Sequence, residues 1–419
     1  MWQKALDLML KTMFRQGSLS IVMPNGKLCR YGDVSDAPLT VHLHDIATVR
    51  HLVLNPELAL GESYMNETLT IEDDDVQGLL GLIVQAMHGA PRIWWQRPLL
   101  KLRHASRRFT QNNVSRRFTQ NNVLSRSRRN VAHHYDLSGQ LYDLFLDADQ
   151  QYSCAYFRDR SDTLELAQAQ KKDHIARKLM IAPGMRVLDI GCGWGGMALT
   201  LARDYGAHVL GITLSKEQHA RATARAAREG LSDLVEIRLC DYRDVVGTFD
   251  RIVSVGMFEH VGIPHHKAFF DTIRDRLALD GIALVHTIGW MGRPNGTNPW
   301  IEKYIFPGGY VPTLSETAVA IETAELWTVD VECWRLHYAY TLRHWFDRFT
   351  EKQDEVRALY DDRFVRMWRF YLAACEQTFR HGPQAVLQFQ LSRKIDAVPL
   401  TRDYLYQPSS RDLLKRAAE

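Results

Sequence analysis

The residues best suited to chemistry begin with Gly191, Gly193 and Gly195, set at alternate positions directly after the apolar stretch Val187-Leu-Asp-Ile190. A buried parallel strand wants Val187, Leu188 and Ile190, and the glycines then let the backbone turn tightly and approach a ligand with no Cβ in the way. The helix expected from 196 to 205 aims its free N–H groups at the same point. A flat, polar ligand belongs there, with Asp189 beside it. On its own such a loop is shared by proteins that bind nicotinamide, flavin or S-adenosylmethionine (SAM). A dinucleotide-binding unit places an acid about 20 residues further on for the ribose hydroxyls. Here the next strand ends in Thr213, a neutral hydroxyl that still bonds a ribose but speaks against a nicotinamide fingerprint. Ser215-Lys-Glu-Gln218 reads as a capping box opening the next helix, so Gln218 serves either the cap or a bound nucleoside.

Asp241-Tyr242, Glu259-His260 and His286 fall at the ends of later strands. Glu259 could bind a ligand amine, orient a base or cap the turn after strand 249–255. A lone histidine ending an apolar strand, as His286 ends Ile282-Ala-Leu-Val285, is usually a core residue; its expected closeness to Glu259 makes it a candidate for chemistry. Glu259-His260 with His265-His266 fits no helical metal spacing, so no metal is expected. Asn298-Pro-Trp300 is similar to the Asn-Pro-Pro-Tyr segment of enzymes that methylate nucleobase amines, but it follows the fifth strand rather than the fourth and is discounted.

These groups meet only if strands 186–190, 207–212, 234–240, 249–255 and 281–288 alternate with helices 196–205, 216–229 and 265–278. That order predicts an α/β fold, a doubly wound parallel sheet with ligands at the carboxyl ends of its strands. Strands 329–336 and 385–391 complete one edge, and inserted helices near 342–350 and 354–379 lie between them. The Gly-, Pro- and aromatic-rich stretch 290–312 is a lid or channel wall. Ahead of the sheet come a helix at 136–146, the aromatic segment 152–157, and a helix opened by Asp162-Thr-Leu-Glu165 and ending before Pro183-Gly184.

At 419 residues the chain exceeds what one core usually holds. The expected division is a small N-terminal α+β domain (1–95), a basic linker (96–130) and a large domain (131–419). A hairpin around Pro24-Asn-Gly26, a third strand before residue 43, and helices 46–54 and 73–87 make up the small domain; Leu60-Gly-Glu-Ser-Tyr-Met65 has no derivable role. From Arg97 to Arg129 basic residues recur without an acid, and Arg107-Arg-Phe-Thr-Gln-Asn-Asn-Val114 is repeated as Arg116–Val123, so one nine-residue copy is expected to be dispensable. This run reads first as solvated linker, next as a contact with an anionic membrane, where each basic residue is worth about 1 kcal/mol, and least as an RNA arm. A net charge of +3 is too small to imply nucleic acid. No apolar run is long enough to span a membrane, and Met1–Asp7 lacks a signal-peptide core, so a cytoplasmic protein is expected. The six cysteines show neither paired nor zinc spacing and are expected to be free thiols.

Seven stretches recur in order through the large domain: His134-Tyr-Asp-Leu-Ser138, Tyr152-Ser-Cys-Ala-Tyr-Phe157, Leu188-Asp-Ile-Gly-Cys-Gly-Trp-Gly195, Gly211-Ile-Thr-Leu-Ser215, Glu259-His-Val-Gly262, Tyr304-Ile-Phe-Pro-Gly-Gly309 and Tyr371-Leu-Ala-Ala-Cys375. Together they resemble the cyclopropane-fatty-acyl-phospholipid synthases and the related mycolic acid cyclopropane synthases. The small domain, with Gly61-Glu-Ser-Tyr-Met65, is similar to the amino-terminal domain of the bacterial phospholipid enzymes, which favours phospholipid as substrate; the tandem duplication departs from the family pattern. The resemblance implies a SAM-dependent methyltransferase fold and methyl transfer from SAM to a cis double bond, followed by proton loss to a bound bicarbonate and ring closure. It implies an anion site formed by Cys154 (largely its main chain), Glu259, His286 and Tyr338, with the backbone of Ile288 nearby. For SAM it implies Tyr152, Ser153, Val187 to Gly195, Thr213, Leu214, Gln218, Tyr242 and Arg243. Cys375 matches a cysteine proposed as a nucleophile; the chemistry needs no covalent intermediate, so a buried structural thiol is expected. A carbocation calls for aromatic faces and exclusion of water, for which Tyr152, Tyr156, Phe157, Trp290, Tyr304, Phe306 and Tyr310 are available. The implied partners are unsaturated phospholipid at the inner face of the membrane and a second copy of the chain. Rival readings are a fatty-acyl C-methyltransferase leaving a branch, an RNA methyltransferase and a non-catalytic lipid-binding protein.

Overall fold

The computed structural model describes residues 1–15, 17–33, 38–89 and 139–406. The basic run with its duplicated nonapeptide, and His134–Ser138, lie outside the described residues.

The amino-terminal part builds α1 (Trp2–Met13), β1 (Ser18–Val22), β2 (Leu28–Gly32), β3 (Leu39–Leu43), α2 (Ile46–Leu54), α3 (Pro56–Met65), β4 (Leu69–Ile71) and α4 (Val76–Gly89). The expected hairpin is there: β1 and β2 pair antiparallel across a turn in which Gly26 takes a φ of 78°. β3 lies parallel to β1, and β4 extends the sheet to the order β2-β1-β3-β4. Three elements were not legible in the sequence: α1, β4 and α3. The last begins with Pro56 at its first turn, directly after Asn55 ends α2, and buries Gly61 and Ser63 alongside Ala59, Tyr64 and Met65.

The larger part carries α5 (Gly139–Phe145), α6 (Leu164–Lys178), β5 (Arg186–Ile190), α7 (Gly196–Tyr205), β6 (His208–Thr213), α8 (Lys216–Arg228), β7 (Val235–Leu239) and β8 (Phe249–Val255). It continues with α9 (His266–Arg276), β9 (Leu277–Trp290), α10 (Pro299–Tyr304), α11 (Leu314–Thr323), β10 (Trp327–Trp334), α12 (His337–Glu351), α13 (Gln353–Leu359), α14 (Asp362–His381) and β11 (Gln384–Ser392). Seven strands form one sheet ordered β10-β11-β9-β8-β5-β6-β7. β5 pairs parallel with both β6 and β8, so the strand order reverses there and opens a crevice at their carboxyl ends. One strand departs from the parallel expectation: β11 runs antiparallel between β9 and β10.

Several boundaries differ from the sequence reading: β9 runs over Leu277–Trp290 rather than 281–288, β10 over Trp327–Trp334 rather than 329–336, and α4 starts at Val76 rather than 73. The helix expected from Asp162 starts one residue later, because Thr163 supplies the cap to Leu166 N. The helix expected over 354–379 is two helices, α13 and α14, broken at Tyr360-Asp361, where Asp361 accepts from Phe364 N at 2.7 Å and starts the second. α12 begins at His337 rather than near 342, which puts Tyr338 on its first turn.

The two parts share one continuous apolar core. Trp300 of α10 lies against Gly61 of α3 and donates its indole N–H to Met65 Sδ at 3.3 Å; a Cβ on Gly61 would collide with that ring. Glu62 accepts from Lys303 (2.6 Å) and Tyr304 (2.8 Å), and the buried carboxylate of Glu376 on α14 accepts from Gln77 of α4 at 2.9 Å. The stretch Leu60–Met65 therefore acts as the seat for α10, the helix inside the expected lid.

Candidate active site

The crevice at β5 holds a cavity of about 1270 Å³ including its open mouth. Gly191 and Gly193, with φ of 84° and 54°, form its floor in a left-handed backbone that other residues rarely adopt. Of the residues expected at a cofactor, Tyr152, Ser153, Asp189, Gly191, Gly193, Thr213, Leu214, Gln218, Tyr242 and Arg243 all line this cavity. Gly195 does not. It is the N-cap of α7, with φ 85°, and a Cβ there would press on Ala222 of α8 at 3.0 Å, so it serves helix packing behind the loop.

Gln218 does two things. Its backbone N–H is capped by Ser215 Oγ at 3.3 Å, but its side chain turns away from a reciprocal box and accepts from Thr213 Oγ1 at 2.8 Å, at the cavity wall. Arg243 is held by Asp241 through bonds of 2.7 and 2.8 Å. Asp189 is buried with one carboxylate oxygen unpartnered, and burial pushes it up to about 7 against the opposing pull of Lys171.

Residues Gln151 to Ser153 close another wall, and α6 fixes them. Gln168 donates to the carbonyls of Gln151 (3.2 Å) and Ser153 (3.0 Å). Lys171, one turn on, donates to Gln151 Oε1 (2.7 Å) and Ser153 Oγ (2.8 Å). The sequence gives no warning of Lys171, since a lysine in a strongly charged helix is expected at the surface. Gln151, Met257 and Pro307 are further lining residues that the sequence reading missed, while His260, which it grouped with Glu259, also lines the cavity. Met257 lies just ahead of the Glu259 motif, the one signal that could have located it.

A second cluster adjoins this cavity where β8 meets β9. Glu259 stands in a short 3-10 turn (Phe258–His260) and accepts from Ile288 N at 2.6 Å, while its other oxygen has no hydrogen-bond partner. Burial raises its carboxyl above the ordinary range. His286 lies two residues back on β9, opposite Val255, and its backbone carbonyl accepts from Gly256 N at 2.9 Å, joining it to the cavity rim. Gln388 Nε2 is 3.1 Å from His286 Nδ1, which assigns Nδ1 as acceptor and leaves the proton on Nε2. Burial holds this imidazole well below its usual range, so it is neutral at physiological pH.

Cys154 lies in a segment tied to α12, the helix that carries Tyr338. Ala155 N donates to Thr341 Oγ1 at 3.0 Å and Phe157 N to His337 Nδ1 at 3.1 Å, clamping the Cys154 segment to α12. Trp334 stacks edge-on to His286 (5.0 Å between ring centres) and packs on Tyr156 (4.8 Å), which in turn stacks on His337 (4.8 Å), next to Tyr338 in the chain. Tyr338 itself rests on Phe379 and Trp345, and Tyr371 of α14 pairs its hydroxyl with that of Tyr152 at 2.8 Å. Burial pushes the Cys154 thiol up strongly and Cys375 to about 12, so neither is an activated thiol. Two aromatics offered for a cation are otherwise engaged: Tyr304 is bonded to Glu62, and the Tyr310 hydroxyl donates to Glu316 at 2.9 Å. Phe306, packed on Tyr371 and His260, remains at the site.

The residues present fit SAM: a Cβ-free floor for the backbone-hugging part of the ligand, the Thr213–Gln218 pair for ribose hydroxyls, and an orphaned buried carboxylate at Asp189. With the switch-point crevice of the seven-stranded sheet, they define a SAM-dependent methyltransferase. Residues 122–389 match the family model described as mycolic acid cyclopropane synthetase, and residues 5–90 match one described as a domain of unknown function. The chain belongs to the mycolic acid cyclopropane synthetase family. It is 44% identical over 266 residues to the cyclopropane-fatty-acyl-phospholipid synthase of Escherichia coli, covering 63% of this chain and 67%, about two-thirds, of that enzyme. It is 35% identical over 391 residues to the tuberculostearic acid methyltransferase of Mycobacterium tuberculosis, covering 90% of this chain and 88% of the relative. The solved structure of a mycolic acid cyclopropane synthase complexed with SAH and CTAB is 33% identical and covers 63% of this chain and 97% of its own, with a TM-score of 0.60.

Proposed function

We propose that this protein is a cyclopropane-fatty-acyl-phospholipid synthase, adding a methylene from SAM across the cis double bond of an unsaturated phospholipid acyl chain. The observation that carries the reading is that, beside the SAM cavity, Glu259 keeps one oxygen unpartnered and bonds the backbone of Ile288, two residues from a neutral His286, with no metal-binding group of side chains among the described residues. Buried donors and acceptors left over in this way suit a small anion. SAM supplies an electrophilic methyl, and bicarbonate held by the Cys154 main chain, Glu259, His286 and Tyr338 supplies the base.

The chain's own contribution is placement. An alkene is a feeble nucleophile, and orienting it against the methyl is worth roughly 7–11 kcal/mol in well-positioned systems. The glycine floor, Thr213 and Gln218 hold the donor; Tyr152, Tyr371 and Phe306 present ring faces to the positive charge that develops on the acyl chain. A proton must then leave the added carbon, and a charged side chain facing that cation would risk alkylation. Holding the base as a separate anion, oriented by Glu259, His286 and Tyr338, avoids that. The raised Glu259 carboxyl suits it to carry a proton and donate toward such an anion.

A second reading, a fatty-acyl C-methyltransferase whose product keeps a branch, is favoured by the 35% identity across 90% of the chain to a tuberculostearic acid methyltransferase. Mass spectrometry and NMR of lipids from a host expressing the protein separate the two. Acyl chains heavier by one CH₂ with upfield ring protons support cyclopropanation; the same gain without those protons overturns it. The proposal also puts the protein peripherally on the inner face of the membrane, as a homodimer through its small domain. No described helix is long and apolar enough to cross a membrane. Flotation with phospholipid vesicles and sedimentation test the two statements.

A further inference from the structure

Lys171 is a buried group that the mechanism above leaves without a task. It is 0% exposed, and its two hydrogen bonds go to neutral oxygens, Gln151 Oε1 and Ser153 Oγ. Among the described residues no carboxylate forms an ion pair with it. Lys172, its neighbour in sequence, shows the contrast by pairing directly with Asp149. Taking an ammonium out of water costs several kcal/mol unless an opposite charge offsets it, and two neutral acceptors could be satisfied by a neutral donor. The groups within its electrostatic reach include Cys154 and His286, both in the proposed anion site, and the orphaned Asp189 at the cofactor cavity. Asp147, Asp149 and Lys172 are the other charged groups acting on it.

We infer that Lys171 is a cationic positioning residue of the anion site: fixed by Gln151 and Ser153, its ammonium is the counter-charge for the small anion held among Cys154, Glu259 and His286. The inference rests on the bicarbonate reading above and extends it. Without such a cation, an anion would enter a buried site walled by a carboxyl group and a neutral imidazole, while Lys178, the other ammonium acting on His286, is already paired with Glu332. Lys171 lies on α6, outside every motif that carries the family resemblance, which is why the sequence did not nominate it. Its amine is pushed down by burial to about 8, so it is still mostly protonated at neutral pH.

The test uses the full-length protein with sodium bicarbonate as probe and sodium chloride at equal ionic strength as control, at fixed pH. Thermal unfolding is followed without SAM, together with turnover and calorimetric binding of S-adenosylhomocysteine. The wild-type midpoint should rise with bicarbonate beyond the chloride control. Lys171→Arg should keep that rise. Lys171→Gln, which keeps a donor but no charge, should lose it and need about tenfold or more bicarbonate for half-maximal turnover, with S-adenosylhomocysteine affinity little changed. A folded Lys171→Gln protein that responds to bicarbonate like wild type overturns the assignment of Lys171 alone. No bicarbonate response in wild type overturns the bicarbonate reading and this inference with it. Should Lys171→Gln fail to fold, Lys171→Arg decides: a folded arginine variant that has lost the response refutes the counter-charge role, and one that keeps it supports it.

Discussion

Glu259 and Cys375 show how burial separates residues that look equally reactive in a sequence. Glu259 keeps one oxygen unpartnered beside β9, the strand that carries neutral His286, whereas Cys375 is a half-buried thiol of α14 raised to about 12. Glu259→Gln and Tyr338→Phe should each lower turnover by about a hundredfold, the scale of a lost general acid–base group, while calorimetry finds S-adenosylhomocysteine bound nearly as tightly as before. Cys375→Ser should keep most of the activity in the same assay. Asp189 makes a prediction about pH. Its carboxyl titrates near 7 when folded, raised by burial, and near 4 when unfolded. Through that window the native state keeps a proton that the unfolded chain has released. The ligand-free protein should therefore lose stability as pH rises toward 7 and level off above it. Unfolding midpoints from about pH 5 to 8 should show a flatter profile in Asp189→Asn.

At the level of elements, the stretch 290–312 is anchored by the helices of the small sheet as well as by those of the larger part. α3 carries Gly61 against the Trp300 ring of α10, and α4 reaches Glu376 on α14, the helix that also brings Tyr371 and Cys375. Gly61→Val should overpack this joint, costing about 1–3 kcal/mol in denaturant unfolding. Turnover should fall more than S-adenosylhomocysteine affinity, because α10 and the Phe306 segment after it move while the glycine floor does not. Strands β5 and β8 were legible to the residue because short apolar runs bounded by turn residues mark their own ends. The α13–α14 break was hidden by apolar residues that continue across it, and the antiparallel direction of β11 by the fact that hydrophobic patterning carries no strand polarity.

Across the whole molecule, the duplicated nonapeptide lies outside every stretch that carries the family resemblance. It falls in the stretch that connects the two described parts, 90–138. For a connecting chain of that length, removing nine residues changes the closure entropy by only about 0.2 kcal/mol. Deleting residues 107–115 should therefore leave turnover on phospholipid vesicles within about twofold of wild type. A larger loss would mean that the two copies contribute to membrane binding, which vesicle flotation of the same variant would reveal.

The residues themselves determined the glycine floor, the run of alternating strands and helices, and the places of Thr213 at the end of β6 and Glu259 just past β8, because each depends on periodicity within about ten neighbours, whereas β9 runs on to Trp290 and holds His286 inside the strand. Only the tertiary structure decided which polar groups face inward. It turned Gln218 toward Thr213 and set Gly195 behind the cavity. It gave Tyr304 and Tyr310 to structural carboxylates and carried Lys171 from a charged helix into the core. Those outcomes rest on contacts between segments far apart in the chain, where the cost of burying a charge or a hydroxyl is set by partners that local patterning does not reveal.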